Sequence, residues 1–460
     1  MRAPLSCRHN TLQITMKRAV AIISIIVLVA YMAISAVMLS RHGYLSGGAT
    51  LRSEQMIYAD SVIEKAIADG EFPGAVLCVV RRSLDGESMG RVLYKKAYGN
   101  RQTVAGRNAS GEWIADTLPM TTDAVFDLAS LSKSVGTTLA FMTLVERGQV
   151  RLSDNVSRYI PGFKPWESKP ERRGEPVERE QITIKHLLTH TSGLPAAIHV
   201  PSYLERYEKW GDPMQQNLRD SLITYLATEA DRLSRPGEQM RYSCLNFITL
   251  QAIIESITSQ RLDHYAEREI FSPLQLKNTW YNHIDEPKPY ADSTRIAPTE
   301  VLEDGSLLYG QVHDPTARVV NRGVSGNAGL FSTADDLAVV ASMLMNGGVL
   351  RINKDGLQGR VGADERVRIL SEATVESLMH APKGMEEHGR TLGWVDGRFG
   401  DLASEKSINH TGYTGTSMTI DQENGVAVIL LTNRVHPVDD GSLARTRATV
   451  ENIVLAALDN

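Results

Sequence analysis

The sequence predicts an α/β fold: a mostly antiparallel sheet flanked by helices, an α-helical insertion between its two halves, and one N-terminal transmembrane helix. Three observations carry this. Strand patterns sit near both ends of the chain, as GAVLCVV from Gly74 and RVLYKKAYG from Arg91, then TSMTID from Thr416 and GVAVILLT from Gly425. Between them, from Val125 to about Phe271, apolar residues recur near helical spacing, as at Phe247, Leu250, Ile253, Ile254 and Ile257. Ahead of both, residues 19–39 are 21 uncharged, mostly apolar positions, and a bilayer core needs about 20.

Taken in order, Arg2, Arg8, Lys17 and Arg18 precede the apolar run and no acidic residue does. The positive-inside rule then keeps residues 1–18 in the cytoplasm, spans the inner membrane once with 19–39, and exports the rest to the periplasmic side. A cleaved signal peptide, cut near Ala33-Ile34-Ser35, is the alternative, but its apolar core is usually about 7–15 residues. Residues 40–50 are small and Gly-rich, a tether to a domain over 51–460.

Within that domain Ser61 to Ala68 reads as a helix stopped at Gly70, and a polar Asp85-Gly86 turn region joins the first two strands. The helical insertion spans about 121–290. Two polar, Pro-bearing stretches, Phe163 to Glu180 and Asp285 to Gly305, read as long surface loops. Thr333-Ala334-Asp335-Asp336 caps a helix bearing Leu337, Val340 and Leu344. Gln422-Glu423-Asn424 turns between the late strands, and Gly441 to Leu458 closes the chain as a helix.

Composition excludes several classes. With 42% hydrophobic and 22% charged residues the chain is neither disordered nor a multi-pass membrane protein. Lysine and arginine number 49 against 54 acidic residues, and no basic stripe exists, so nucleic acid is not an expected partner. Removing the five basic residues up to Arg41 leaves 44 basic and 54 acidic, so the exported part carries about −10. Cys7, Cys78 and Cys244 make neither a disulfide scaffold nor a zinc site, and Cys78 falls in an apolar strand where a buried thiol is expected. His186 and His190 have i, i+4 spacing but no third ligand, so bonds to nearby backbone are expected, and neither a metal nor a cofactor.

The chemistry is concentrated in three short motifs. Ser130 and Lys133, three apart at the start of a helix that runs to about Glu146, share a face, so the amine reaches the hydroxyl. Serine is a weak nucleophile until a neighbour takes its proton, and burial could lower the lysine pKa enough for that task. Tyr242 lies between a Pro236-Gly237 turn and the helix from Phe247, where a side chain can point into a cleft. His410-Thr411-Gly412 precedes a strand whose edge can bind an extended peptide.

S-L-S-K, Y-S-x and H-T-G in this order resemble the serine β-lactamase and penicillin-binding DD-peptidase superfamily, in the branch with class C β-lactamases, DD-carboxypeptidases and esterases. Ile184 to Pro195, Gly326 to Thr333 and Leu431 to Arg434 match it too, and the resemblance covers about Leu51 to Ala457. It implies that Ser130 is acylated, that Lys133 activates it and that Tyr242 shuttles protons. It further implies that the N–H groups of Ser130 and Tyr413 bind the oxyanion, and that His410 and Thr411 contact the acyl or carboxylate end of the substrate. The expected protein is a membrane-anchored serine hydrolase of small esters or D-amino-acid-terminated cell-wall peptides. A β-lactamase and a penicillin sensor that deacylates hardly at all are the alternatives. Two departures stand out: His410 replaces a frequent lysine, so that a titrating cation would hold substrate carboxylates only at lower pH, and Cys244 stands where β-lactamases usually have Asn.

Overall fold

In the computed structural model, residues 50–459 are described except 171, 173–174, 209–217, 288–292 and 354–363. The apolar run 19–39, the cytoplasmic segment 1–18 and the tether up to residue 49 lie outside the described residues. Among the described residues no helix is long and apolar enough to cross a membrane.

Seven antiparallel strands form the main sheet. They are β1 (Gly74–Arg81), β2 (Arg91–Arg107), β3 (Trp113–Pro119), β4 (Val395–Asp396), β5 (Ser407–Thr411), β6 (Ser417–Asp421) and β7 (Val426–Thr432). Their order is β4-β5-β6-β7-β1-β2-β3, so the two ends of the chain meet where β1 pairs β7, Ala75 opposite Thr432 and Arg81 opposite Val426. The alternation that marks a strand explains both faces. Val76, Cys78 and Val80, with Ala427, Ile429 and Leu431, enter the large core beneath helix α4 (Ala334–Met345). Ala75, Leu77 and Val79, with Val426, Val428 and Leu430, face α1 (Ser53–Ala68) and α5 (Ala444–Ala457). Both faces are covered, so these strands read as continuous apolar runs.

The helices between the halves include Ile184–Leu188, Val200–Glu208, Leu218–Thr228, α3 (Cys244–Thr258) and Leu262–Ala266. The Thr333 side chain caps α4 by accepting from the Asp336 N–H, as the sequence implies. Three readings need adjustment. The first helix starts at Ser53, a full two turns earlier than Ser61, because Met56, Ala59, Ile63 and Ala66 form one buried stripe. The helix after Ser130 is π-helical over Lys133–Thr138 before it becomes α-helical over α2 (Leu139–Glu146). There a Cβ on Gly136 would meet the Tyr281 hydroxyl at 2.3 Å, so the bare glycine admits a buried tyrosine against the widened turn. Finally, Asp285 to Gly305 is not wholly a surface loop. Ile296, Ala297 and Thr299 are buried, their backbone satisfied in part by Val125, which accepts from the Ala297 N–H at 2.8 Å and donates to Arg295 O at 3.0 Å.

Candidate active site

Ser130 is placed by a short strand and a sharp reversal. Phe126–Asp127 pairs with Leu330–Ser332, and the chain turns at Ala129, whose φ of 45° is in the left-handed region, before the helical run opens. Lys133, one turn on, is wholly buried. Its Nζ donates to Ser130 Oγ at 2.9 Å, to the Asn327 carbonyl at 2.8 Å and to Cys244 Sγ at 3.6 Å. The sequence anticipates a lysine pKa lowered by burial. Burial does oppose the charge, but Cys244 and Tyr242 outweigh it and hold the ammonium above the ordinary lysine value. An ammonium that donates to Ser130 Oγ does not take its proton in the same state; it stabilises negative charge developing on its neighbours.

Tyr242 is that neighbour. It lies just before Ser243, the N-cap position of α3, with Lys133 Nζ 5.0 Å from the ring centroid. His190, itself at a φ of 57°, packs its ring against Tyr242 with centroids 4.4 Å apart and the planes tilted by 33°. The His190 Nδ1 accepts the Ser243 N–H at 3.1 Å, fixing the turn that carries the tyrosine. His186 Nδ1 similarly accepts from the Thr183 N–H, so both histidines bond to backbone. Among the described residues no group of three or more His, Cys, Asp or Glu is arranged to hold a metal ion.

The third wall is the end of β5. β4 pairs only with Ile408 and Asn409, which leaves His410 and Thr411 on an open strand edge. Gly412 is required there: a Cβ would come within 2.2 Å of the Leu128 carbonyl. Tyr413 follows, its carbonyl held by Arg434 Nη2 at 2.8 Å. Its ring, 59% exposed, stacks on His313 at 5.8 Å while its hydroxyl bonds Asp439. Among the described residues the backbone N–H groups of Ser130 and Tyr413 donate to no protein acceptor, as an oxyanion-binding pair requires.

His410 departs from the expected cation. It is 2% exposed, its Nδ1 bonds the Thr411 carbonyl at 2.9 Å, and burial with the positive charges of Arg390 and Lys133 pushes its pKa down to about 3. The imidazole is therefore neutral at physiological pH. Sequence reasoning missed Arg390, whose guanidinium lies 5.5 Å from the Tyr242 ring centroid and has no carboxylate partner among the described residues. No motif flanks it, so no sequence signal singles it out. The Asn327 carbonyl was equally hidden, because a backbone acceptor leaves no mark on residue type.

The family model described as Beta-lactamase matches residues 59–452. The chain is 33% identical over 410 residues to an N-acetylmuramyl-L-alanine amidase of Bacillus subtilis (strain 168), covering 85% of this chain and 84% of that one. It is 31% identical over 404 residues to a protein of Salmonella paratyphi B provisionally named D-alanyl-D-alanine carboxypeptidase, covering 84% of each. Among solved structures, EstCE1, a hydrolase with promiscuous acyltransferase activity, superposes with a TM-score of 0.60 at 23% identity, over 87% of this chain and 98% of its own. That last likeness is one of fold.

Proposed function

The chain belongs to the beta-lactamase family of serine hydrolases, and we propose that it is a membrane-anchored, extracytoplasmic member that cleaves D-amino-acid-terminated cell-wall peptides, or small esters, through an acyl-enzyme on Ser130. The contact of Lys133 Nζ with Ser130 Oγ at 2.9 Å carries this reading. In it Tyr242 takes the Ser130 proton while the Lys133 ammonium stabilises the phenolate, Ser130 Oγ attacks the carbonyl, and the N–H groups of Ser130 and Tyr413 hold the oxyanion. Tyr242 then returns the proton to the leaving group, and water, deprotonated by the same tyrosine, releases the acyl group. The apolar run 19–39 with its basic flank supports the anchor.

For the substrate, Arg390 supports a carboxylate-terminated peptide over a neutral ester, since a half-buried guanidinium lacking a carboxylate partner suits a substrate anion. A second reading, cleavage of the amide between a muramyl sugar and L-alanine, is favoured by the similarity to the Bacillus subtilis protein of that name. One experiment addresses both. The full chain is incubated with a D-alanyl-D-alanine peptide, a muramyl-L-alanyl peptide and a short-chain nitrophenyl ester, and adducts are mapped after fluorophosphonate labelling. Labelling of Ser130 with release of D-alanine is expected. Labelling elsewhere, or labelling that survives Ser130→Ala, overturns the nucleophile; release from the muramyl substrate alone moves the reading to an amidase.

A further inference from the structure

The two N–H groups of the oxyanion pair come from segments almost 300 residues apart, and the bonds that order these segments gather around Asp127, through its buried carboxyl and its backbone carbonyl. Asp127 is 2% exposed. Its Oδ1 accepts the Ala129 N–H at 2.8 Å, across the left-handed turn that delivers Ser130. Its Oδ2 accepts the His313 N–H at 2.7 Å, and the His313 ring stacks on Tyr413. The backbone carbonyl of Asp127 accepts the Thr414 hydroxyl at 2.7 Å, and that of Leu128 accepts the Thr416 hydroxyl at 3.0 Å. One residue thus bonds the turn before Ser130, the residue after Tyr413, and the backbone of the histidine whose ring packs against Tyr413.

We propose that Asp127 is a positioning residue that sets the separation of the Ser130 and Tyr413 N–H groups. The inference rests on the acyl-enzyme reading and adds to it a device for preorganisation. Two features point to a purpose beyond packing. Ala129 occupies a backbone region that costs a non-glycine residue about 1 kcal/mol or more, and the Asp127 carboxylate is the acceptor that makes this turn favourable. Burial also raises the Asp127 pKa against the two N–H bonds that favour its charge, so the fold tolerates an expensive acceptor here. A neutral amide has one oxygen to offer and would present an N–H to one of the two donors.

The test compares Asp127→Asn, Asp127→Ala and the double variant Asp127→Ala with Ala129→Gly, each as the full chain. Ester hydrolysis is expressed per fluorophosphonate-titrated site, so that misfolded protein does not count. A displacement of about 1 Å at a reacting centre costs on the order of 100-fold. The expected losses in kcat are about 100-fold for Asp127→Ala and about 10-fold for Asp127→Asn, with KM changed less than threefold. Glycine adopts the left-handed region without strain, so Ala129→Gly should return about tenfold of kcat to the alanine variant. A loss confined to the number of titratable sites, or no rescue by glycine, overturns the positioning role. If Asp127→Ala fails to fold, Asp127→Asn decides by the same kcat and KM split. Absence of Ser130 labelling in the unsubstituted chain would instead defeat the acyl-enzyme reading on which the inference stands.

Discussion

The Cys244 sulfur lies 3.6 Å from the Lys133 Nζ, so the first residue of α3 shares an ammonium with Ser130. A thiol in that position is a weak acceptor that fills space beside the proposed nucleophile. It is also half-exposed, whereas Cys78 is buried in β1 with its thiol pushed up to about 12.

Iodoacetamide should therefore inactivate the enzyme by alkylating Cys244 while sparing Cys78, because Cys244 is reachable by the reagent whereas burial both shields Cys78 and disfavours its thiolate. Added bulk at Sγ displaces Lys133 from Ser130. Peptide mapping should show activity falling in step with Cys244 modification, and Cys244→Ala should keep activity in the presence of the reagent. Cys244→Asn supplies an amide that both accepts from Lys133 and donates to a substrate carbonyl. Acylation by a penicillin should rise at least about tenfold relative to ester turnover, a factor equal to about 1.4 kcal/mol; equal rates would show that the side chain here does not govern amide recognition.

In the proposed reading Arg390, not His410, supplies the cation for a substrate carboxylate. Arg390→Met should raise KM for a carboxylate-terminated peptide by about 10- to 100-fold, the range for losing a charge-assisted bond of about 1.5–3 kcal/mol, and leave a neutral ester within threefold. His410, with a pKa of about 3, is neutral throughout pH 5–9, so its titration contributes no alkaline loss of carboxylate binding in that window. His410→Lys places a charge near Arg390 and Lys133 and should lower stability without improving alkaline activity. Steady-state constants for both substrates across pH 5–9 check this; a carboxylate-specific decline through pH 6–7 that disappears in His410→Lys would restore the cation role.

How far the site was legible depends on what carries each function. Ser130, Lys133 and Tyr242 would act through side-chain chemistry at set places in the chain, and the structure brings all three together. The alternation in β1 and β7 was equally readable, since a buried strand needs apolar residues whichever sheet it joins. Arg390 could not be found that way, because its value comes from lacking a partner in three dimensions. Nor could the environment of His410: residue type gives a reference pKa, while burial and two cations set the actual one. The Asp285 to Gly305 stretch looked exposed because polar residues flank Ile296 and Ala297, and only their pairing to Val125 reveals the burial.

Gly412→Ala should abolish acylation while leaving most of the fold intact. A Cβ there would lie 2.1 Å from Thr416 Oγ1 and 2.2 Å from the Leu128 carbonyl, and the latter is a backbone atom unable to rotate aside. The turn carrying the Tyr413 N–H must move away from Ser130. Fluorophosphonate labelling should fall at least about 100-fold, as for loss of an oxyanion donor, with stability lowered by about 1–3 kcal/mol as for other overpacked sites. Near-normal labelling would show that the two segments slide past one another freely.

Acid should destabilise the protein well above the range in which carboxylates titrate. His186 has its pKa pushed down to about 4 and His410 to about 3, and His190 is lowered well below the ordinary value; burial is the leading cause in each. In the unfolded chain each returns to about 6.5. A group whose folded pKa is depressed contributes stability that is present above the unfolded value and is lost as pH falls toward the folded one. Below about pH 6 the unfolded state thus binds up to three more protons at these sites, a decline on the order of 3–4 kcal/mol per pH unit, and His283 and His436, also lowered by burial, act in the same sense. Asp127, Asp336 and Glu451, whose pKa values burial raises, act in the opposite sense by releasing their own desolvation cost as they protonate, and reduce that slope. Urea midpoints of the full chain at pH 8, 6.5 and 5.5 measure the sum. His186→Gln isolates one contribution, since His186 is outside the catalytic set and a glutamine oxygen can accept the Thr183 N–H that the imidazole now accepts. The slope between pH 6.5 and 5.5 should then fall by about 1 kcal/mol per unit; an unchanged slope would mean that His186 does not stay neutral in the folded protein.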